Sequence, residues 1–373
     1  MRSLVALRMV VHDRSSTAGS LLGVVAIVFL VGQQLSVFFG LLSYMSVLVD
    51  HSGADAWIMS ANLRNADSGN LISGRYIDRI LGLPDVAWVE PVLIGNGLFQ
   101  TSDGSYETVR VIGLRRPRLA GGPWQFARAD ERALLDVESV TVDRLDLAKL
   151  GHPGLDQVRE IGGKRVRVRA VTSGARGFQG TLVFASIDKV KEIAKPPPGR
   201  YSAILVRFTE GARPEDVLAR IRAVLPGCSV YSTAELSRLT QTYYIQNTGI
   251  GGSFVFSTVI AVLIGVVIIS LTMYASVLGR ARDFAVMRAI GGRRVDIAWV
   301  VVCQALIIAG SGLFVGFVML ATLLNATRGS GIPSFFPAYV PPALAGATML
   351  VSLLGSLVAL RVALKADPAS VFH

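Results

Sequence analysis

The chain has 373 residues, of which 51% are hydrophobic and 17% are charged, and its formal net charge is +11. Soluble globular proteins carry about 25% charged residues, so this composition excludes an ordinary water-soluble protein and predicts several membrane spans. The positive charge does not indicate a nucleic-acid-binding surface, because residues 50–238 hold 26 basic against 22 acidic residues. Most of the excess lies in short segments beside apolar stretches, where it orients spans in the membrane.

The first 14 residues place Arg2 and Arg8 among leucines and valines, which predicts a helix lying on the inner leaflet of the membrane. A secretory signal peptide is the alternative for such a start. The apolar stretch 15–49 is much longer than the apolar region of a signal peptide, however, and it has no clear Ala-x-Ala cleavage site. We therefore expect an uncleaved first span that continues past the bilayer as a stalk.

Four stretches contain no Asp, Glu, Lys or Arg, and each exceeds the roughly 20 residues that cross about 30 Å of hydrocarbon. They are residues 15–49, 239–279, 297–327 and 329–360. Four spans place both termini on the same side of the membrane. The basic segments 1–14, 280–296 and 361–373 place that side in the cytoplasm by the positive-inside rule.

Residues 50–243 have the composition of a water-soluble α+β domain on the opposite side of the membrane. Strands are predicted at 56–59, 87–92, 108–114, 165–171, 202–209 and 229–231, and helices at 74–83 and 214–225. Ser232-Thr-Ala-Glu235 matches a capping box and predicts the start of another helix. A domain of this size can form one large core or two lobes, and Lys195-Pro-Pro-Pro-Gly199 is the candidate hinge between lobes.

Two glycine-rich stretches lie at the spans. Gly249-Ile-Gly-Gly252 opens the second span, and the chain has no GxxxxGK[ST] motif, so we expect a helix-packing contact or a joint and not a phosphate-binding loop. Gly310, Gly312 and Gly316 in the third span predict close contacts between helices.

The segment between the second and third spans is the only strongly charged one in the last third of the chain. Apolar residues recur in it at three-residue spacing and glycines follow them, which predicts a short amphipathic helix. We expect this helix to contact a cytoplasmic partner. The predicted contact residues are Arg280, Arg282, Asp283, Phe284, Met287, Arg288, Ile290, Gly291 and Gly292.

No catalytic, cofactor-binding or metal-binding residues are predicted. The charge-free spans have no carboxylate, Lys or Arg near their centres, which argues against proton- or sodium-coupled transport. No GxSxG nucleophile motif and no CxxC spacing occur, and the four histidines are scattered. The sequence therefore predicts a non-catalytic chain, and a separate subunit must supply any energy that it uses.

The layout of one span, a large outer domain and three further spans resembles the MacB/FtsX-type permeases of ABC transporters, a type VII mechanotransmission class, especially their DevC-like branch. The resemblance is most specific at Arg282-Asp-Phe-Ala-Val-Met-Arg-Ala-Ile-Gly-Gly292, which is similar to that family's Arg-Glu-x-(apolar)-x-x-x-Arg-Ala-(apolar)-Gly-Ala loop. It extends to Ala366-Asp-Pro-Ala369, which follows the basic residues Arg361 and Lys365. Asp283 and Gln304 stand where the family often has glutamate.

The resemblance implies that the helix between the second and third spans is a coupling helix seated in a cytoplasmic ABC ATPase. ATP and magnesium would bind that partner, with no cofactor in this chain. It also implies a second permease copy in a homodimer, a periplasmic adaptor of the membrane fusion protein class and an outer-membrane channel. Membrane lipids are expected partners, and nucleic acid is not.

The expected location is the bacterial inner membrane, with several spans and the large domain in the periplasm. Export driven by the ATPase is the leading hypothesis for function. One alternative is an FtsX-like transmembrane signalling scaffold that activates a cell-wall hydrolase. The other is a permease that extracts lipoproteins or lipids from the membrane.

The predicted fold is therefore a membrane protein with four transmembrane helices, a large α+β extracytoplasmic domain inserted between the first and second, and a short cytoplasmic coupling helix between the second and third. The predicted boundaries are an N-terminal amphipathic interfacial helix at 1–18, a first transmembrane helix and stalk at 19–49, a periplasmic α+β domain at 50–243, a second transmembrane helix at 244–279, a cytoplasmic coupling loop at 280–296, a third transmembrane helix at 297–325, a short periplasmic loop at 326–342, a fourth transmembrane helix at 343–361 and a cytoplasmic tail at 362–373.

Overall fold

The computed structural model describes residues 14–279, 286, 287, 291, 293–327 and 330–365. The chain divides into two compact units. The helical unit contains the described residues up to Gly40 and most of those from Gly252 onwards, and the α/β unit contains Leu41–Gly251 together with Gly331. The predicted interfacial helix at 1–18 lies mostly outside the described residues.

The principal helices of the described residues are α1 (Arg14–Asp50), α2 (Arg75–Leu81), α3 (Ile187–Ala194), α4 (Pro214–Val224), α5 (Thr233–Asn247), α6 (Ile250–Gly279), α7 (Arg294–Ala326) and α8 (Val340–Lys365). The strands are β1 (Ala56–Ser60), β2 (Ile72–Ser73), β3 (Val86–Gln100), β4 (Tyr106–Leu114), β5 (Phe126–Arg128), β6 (Ser139–Asp143), β7 (Val158–Ile161), β8 (Lys164–Thr172), β9 (Arg176–Gly177), β10 (Gly180–Ser186), β11 (Arg200–Tyr201), β12 (Ala203–Phe208) and β13 (Cys228–Ser232). Short 3₁₀ helices occur at Glu131–Leu135 and Arg144–Asp146.

Four helices of the described residues, α1, α6, α7 and α8, are long and apolar enough to cross a membrane. They correspond to the four stretches without charged residues, so the prediction of four spans is confirmed. At 37 residues, α1 is a single helix of about 55 Å, which exceeds the roughly 30 Å of a bilayer's hydrocarbon core.

Close packing in the helical unit depends on glycines of α7. A Cβ atom added at Gly312 would lie 2.5 Å from Cγ1 of Val24, and one at Gly316 would lie 2.7 Å from Cβ of Val28. Since carbon atoms do not approach so closely, only glycine lets α1 and α7 pack at this distance, as predicted for these two positions. The prediction is wrong for Gly310, because no described atom lies within 4 Å of a Cβ built there.

A glycine separates α5 from α6. Gly249 has a φ of +74°, a left-handed conformation that a continuous α-helix does not contain and that glycine adopts without steric cost. The helix α5 therefore ends at Asn247, and α6 begins at Ile250. This break lies in the stretch for which a helix-packing contact or a joint is predicted.

The α/β unit is built on an eleven-stranded sheet with the order β13-β1-β12-β3-β4-β10-β6-β8-β5, to which β7 and β9 also pair. Strand β3 has 15 residues and pairs antiparallel with both β12 and β4. Because the sheet is continuous, the stretch 195–199 does not separate two lobes. It carries the chain from α3 to β11, which pairs with β2 in a small separate sheet.

Local sequence patterns account for several of these elements. In β8, Val166, Val168 and Ala170 are buried, whereas the arginines between them are partly exposed, as the alternating pattern predicts. At the start of α5, the Ser232 hydroxyl accepts a hydrogen bond from Glu235 N, and the Glu235 carboxylate accepts one from Ser232 N. The predicted capping box is therefore confirmed.

Candidate functional site

The segment predicted to contact a cytoplasmic partner is described in part. Of its nine predicted contact residues, Met287 and Gly291 are described. The other seven lie outside the described residues: Arg280, Arg282, Asp283, Phe284, Arg288, Ile290 and Gly292. The predicted amphipathic helix and its contacts therefore stay a prediction.

The two described residues have different surroundings. Met287 lies in a helical stretch with Val286, is partly buried and packs against the apolar core of the helical unit. Val286 is 42% exposed. Gly291 is exposed and has a φ of +97°, which suits a glycine that ends a helical turn. Within the segment, Met287 therefore anchors the chain to the bundle, and Val286 is the more accessible apolar side chain.

The start of α7 lies directly after this segment. The backbone N–H of Arg293 donates a hydrogen bond of 2.9 Å to the carboxylate of Asp296, which places a negative charge at the positive end of the helix dipole. Arg294 and Trp299 are exposed. Exposed arginine and tryptophan are the residues found at a membrane–water interface, in agreement with a cytoplasmic end of α7 at this point.

A second candidate region is a hydrogen-bond network around the buried Tyr244 in the α/β unit, which we call the Tyr244 network. The Tyr244 hydroxyl of α5 donates to Oδ2 of Asp67 at 2.7 Å and accepts from Nε2 of Gln179 at 2.6 Å. Asp67 also forms an ion pair with Arg110 of β4. Three parts of the chain that are distant in sequence are thereby fixed to α5.

Two members of the network are buried, since Tyr244 is 4% exposed and Arg110 is 9% exposed. Asp67 is partly buried, and Gln179 is exposed. Burial and the adjacent Asp67 carboxylate raise the pKa of Tyr244 above its ordinary value, so the phenol stays protonated and keeps its donor function. Because a buried charge without its partner is costly, Arg110 and Asp67 also hold each other in place.

The outer end of α1 is bonded to α5. The Gln241 side chain of α5 donates to the Ser46 hydroxyl at 2.8 Å, and that hydroxyl donates to the Asp50 carboxylate at 2.6 Å. The carbonyl of Tyr44 accepts a hydrogen bond of 3.1 Å from Phe178 N. The outer end of α1, the helix of the first span, is thus hydrogen-bonded to α5, the helix that precedes the second span. It is also bonded to the loop before β10.

Gly331, which lies between α7 and α8 in the sequence, belongs to the α/β unit. Arg176 donates a hydrogen bond of 3.0 Å to the carbonyl of Gly331, and its Nε lies 3.4 Å from the carboxylate of Asp146. Burial raises the pKa of Asp146, and the positive charge of Arg176 opposes that rise. The ion pair therefore keeps the buried Asp146 carboxylate beside the Arg176 guanidinium, which is also hydrogen-bonded to Gly331.

None of these residues is predicted as a site residue from the sequence. The one available signal was Arg110, which stands between Val109 and Val111 in a strand and is buried with them. A charged residue that is buried needs a partner. The partner, Asp67, is 43 residues away in sequence, and no pattern along the chain indicates it. Among the described residues, no group of three His, Cys, Asp or Glu side chains is placed to hold a metal ion.

Two family models match the chain. The model of the MacB-like periplasmic core domain matches residues 17–224, more than half of the chain, and the model of the FtsX-like permease C-terminal region matches residues 255–368. The chain belongs to the MacB/FtsX-type permeases of ABC transporters. It is accordingly a permease-type membrane subunit, a class that is generally non-catalytic, and it is a multi-pass protein of the inner membrane with an extracellular domain.

Three solved structures of protein domains are similar to part of this permease. The crystal structure of the periplasmic region of MacB from Actinobacillus actinomycetemcomitans is 13% identical, with a TM-score of 0.39, and the match covers 52% of this chain and 95% of that one. The extracellular domain of the noncanonic ABC-type transporter YknZ from Gram-positive bacteria is 11% identical, with a TM-score of 0.35, over 48% and 98% of the two chains.

A domain of a putative permease protein from Porphyromonas gingivalis is 12% identical, with a TM-score of 0.35, over 49% of this chain and 90% of that one. No match is found among curated protein sequences. Family membership rests on the two family models, and the structural likenesses carry no information about substrate.

Proposed function

We propose that this permease couples ATP hydrolysis by a separate cytoplasmic ATPase to movement of its periplasmic domain, and that this movement drives export through a periplasmic adaptor and an outer-membrane channel. The observation that carries the proposal is the continuity of α1. One helix of 37 residues begins in the helical unit and supplies Ser46 and Asp50 to hydrogen bonds in the α/β unit. A continuous helix of this kind can transmit displacement along its length without a substrate path between the spans.

The segment 280–296 is the proposed contact with the ATPase on the cytoplasmic side. Its five arginines and two acids suit a groove on a soluble partner, and the described Val286 supplies an exposed apolar side chain. Because Met287 packs against the bundle core, its side chain positions the segment, and the arginines and Phe284 are the proposed contacts with the ATPase.

Co-purification with the ATPase encoded beside this permease tests the cytoplasmic contact. We expect Arg288→Glu to reduce recovery of the ATPase about tenfold or more, which corresponds to about 1.4 kcal/mol of binding free energy. Arg213→Glu is the matched control, because Arg213 is exposed in the α/β unit and precedes α4, far along the chain from the segment. Undiminished recovery with both Arg288→Glu and Phe284→Asp would show that the contact surface is wrong.

Crosslinking of the assembled complex in cells tests the export role. We expect an adaptor protein with a coiled-coil hairpin to be captured by the α/β unit. Capture of a cell-wall hydrolase in its place, with no adaptor, would contradict export and leave coupling to the ATPase unaffected.

A further inference from the structure

The α/β unit has an open cleft of about 720 Å³, a volume within the range of about 300–1,000 Å³ that small-molecule sites occupy. It lies between the start of α2 and the small β2–β11 sheet. The polar side chains that line it belong to Ser73, Arg75, Asp78, Arg115, Arg200 and Tyr201. It shares no residue with the Tyr244 network.

The backbone brings these side chains together. Arg200 pairs with Ser73 across the small sheet, and the N–H of Gly74 donates to the carbonyl of Gly199 at 2.8 Å. A Cβ atom at Gly74 would lie 2.7 Å from Cε2 of Tyr201, so this approach of the two segments requires glycine. The proline-rich stretch that ends at Gly199 therefore serves to place Arg200 beside the start of α2.

The charges of the cleft are unbalanced. Three arginines line it and Asp78 is the single carboxylate among its lining residues, which leaves an excess of two positive charges. Arg115 is partly offset from outside the cleft, because its Nε lies 3.7 Å from Oε2 of Glu90. Among the described residues, Arg75 and Arg200 form no ion pair with a carboxylate, and both are exposed to solvent.

The chemistry of these groups selects an oxyanion. Guanidinium groups bind phosphate and carboxylate oxygens through paired hydrogen bonds, and a serine hydroxyl adds one further donor. A phosphoryl group brings close to two negative charges and three acceptor oxygens to the guanidinium groups of Arg75 and Arg200, more than a single carboxylate does. We propose that this cleft binds a ligand bearing a phosphoryl group, held by Arg75 and Arg200 with Arg115 and Ser73 in support.

Calorimetric titration of the purified full-length chain, in an uncharged maltoside detergent at constant ionic strength, tests the proposal. Inorganic pyrophosphate represents a soluble phosphoryl compound, and a short-chain phosphatidic acid represents a lipid headgroup. We expect saturable binding of at least one of them, and the one that binds identifies the source of the ligand. Glutamate at the same concentrations is the carboxylate control, and it should bind weakly or not at all.

Variants connect the binding to the cleft. The double change Arg75→Gln and Arg200→Gln should weaken binding of the phosphoryl probe about tenfold or more, because two charge-assisted contacts are lost. Arg79→Gln is the matched control, since Arg79 lies exposed on the same helix and does not line the cleft. Its affinity should equal that of the parent chain. Both arginines of the double variant are exposed, so its thermal stability without ligand should stay unchanged.

Three results would overturn the proposal: no binding of either phosphoryl probe, glutamate binding as tight as theirs, or equal affinity in the parent chain and the double variant. The proposal is independent of coupling to the ATPase, because the titration uses this permease alone. A negative titration therefore does not contradict coupling to the ATPase, and loss of that coupling does not contradict the phosphoryl site.

Discussion

The single hydroxyl of Tyr244 connects several parts of the α/β unit that are distant in sequence. It joins α5 to Asp67 and Gln179, and through Asp67 to the buried guanidinium of Arg110. Without that oxygen, the partly buried Asp67 carboxylate keeps only its ion pair with Arg110 among the described side chains, and one donor of the exposed Gln179 amide turns to solvent.

Tyr244→Phe removes that one oxygen and keeps the ring. We expect it to lower the free energy of unfolding by about 1–3 kcal/mol, because the partly buried Asp67 carboxylate loses a hydrogen-bond donor, whereas the exposed Gln179 amide can bond to water instead. Denaturant titration of the full-length chain in detergent measures the effect. Tyr243→Phe is the control, because the adjacent Tyr243 is less buried and its hydroxyl makes no hydrogen bond with the described residues that would be lost. An equal loss in both variants would contradict a specific role for Tyr244.

At the scale of elements, α1 and α7 pack through glycines at Gly312 and Gly316, and α5 starts at a capping box. The two features differ in how well the sequence predicts them. A capping box involves residues three apart, so Ser232 and Glu235 are recognisable in the sequence. Whether a glycine lies against a neighbouring helix depends on how the helix is rotated, and Gly310 and Gly312 cannot be distinguished by composition.

The pair Gly312→Ala and Gly310→Ala tests that packing. We expect Gly312→Ala to destabilise the permease by about 1–3 kcal/mol, because the new methyl group would overlap the Val24 side chain. Gly310→Ala should be neutral or stabilising by up to about 1 kcal/mol, since alanine favours a helix and meets no described atom. Thermal denaturation of both variants in detergent shows whether each change lowers or raises the stability of the permease. Two changes of the same sign and size would contradict the close contact at Gly312.

At the scale of the whole molecule, hydropathy predicts the four spans because each is a property of one continuous stretch of sequence. The order of the strands is not predictable in the same way. Strand β1 lies in the sheet between β12 and β13, which follow it in the sequence by roughly 150 residues or more. Strand β4 pairs in parallel with β10. The Tyr244 network depends on that order, so it could not be predicted either.

The orientation of the permease in the membrane is testable by cysteine labelling. In a background with Cys228 and Cys303 changed to serine, Arg288→Cys should react with an impermeant maleimide only after the cytoplasmic face is opened, because positively charged short loops stay inside. Arg213→Cys should react from outside in intact spheroplasts. Labelling of residue 288 from the outside would show that the orientation is the opposite of the expected one, and it would remove the basis for contact with an ATPase.

The helices on either side of the α/β unit differ in continuity. The helix α1 runs without interruption from Arg14 to Asp50, whereas the path from α5 to α6 is interrupted at Gly249. An extra residue inserted into the middle of α1 would turn one half of that helix by about 100° about its axis, the angle that one residue subtends in an α-helix. The faces that carry Val24 and Ser46 are therefore phased by the residue count between them, whereas the break at Gly249 imposes no such phase between α5 and α6.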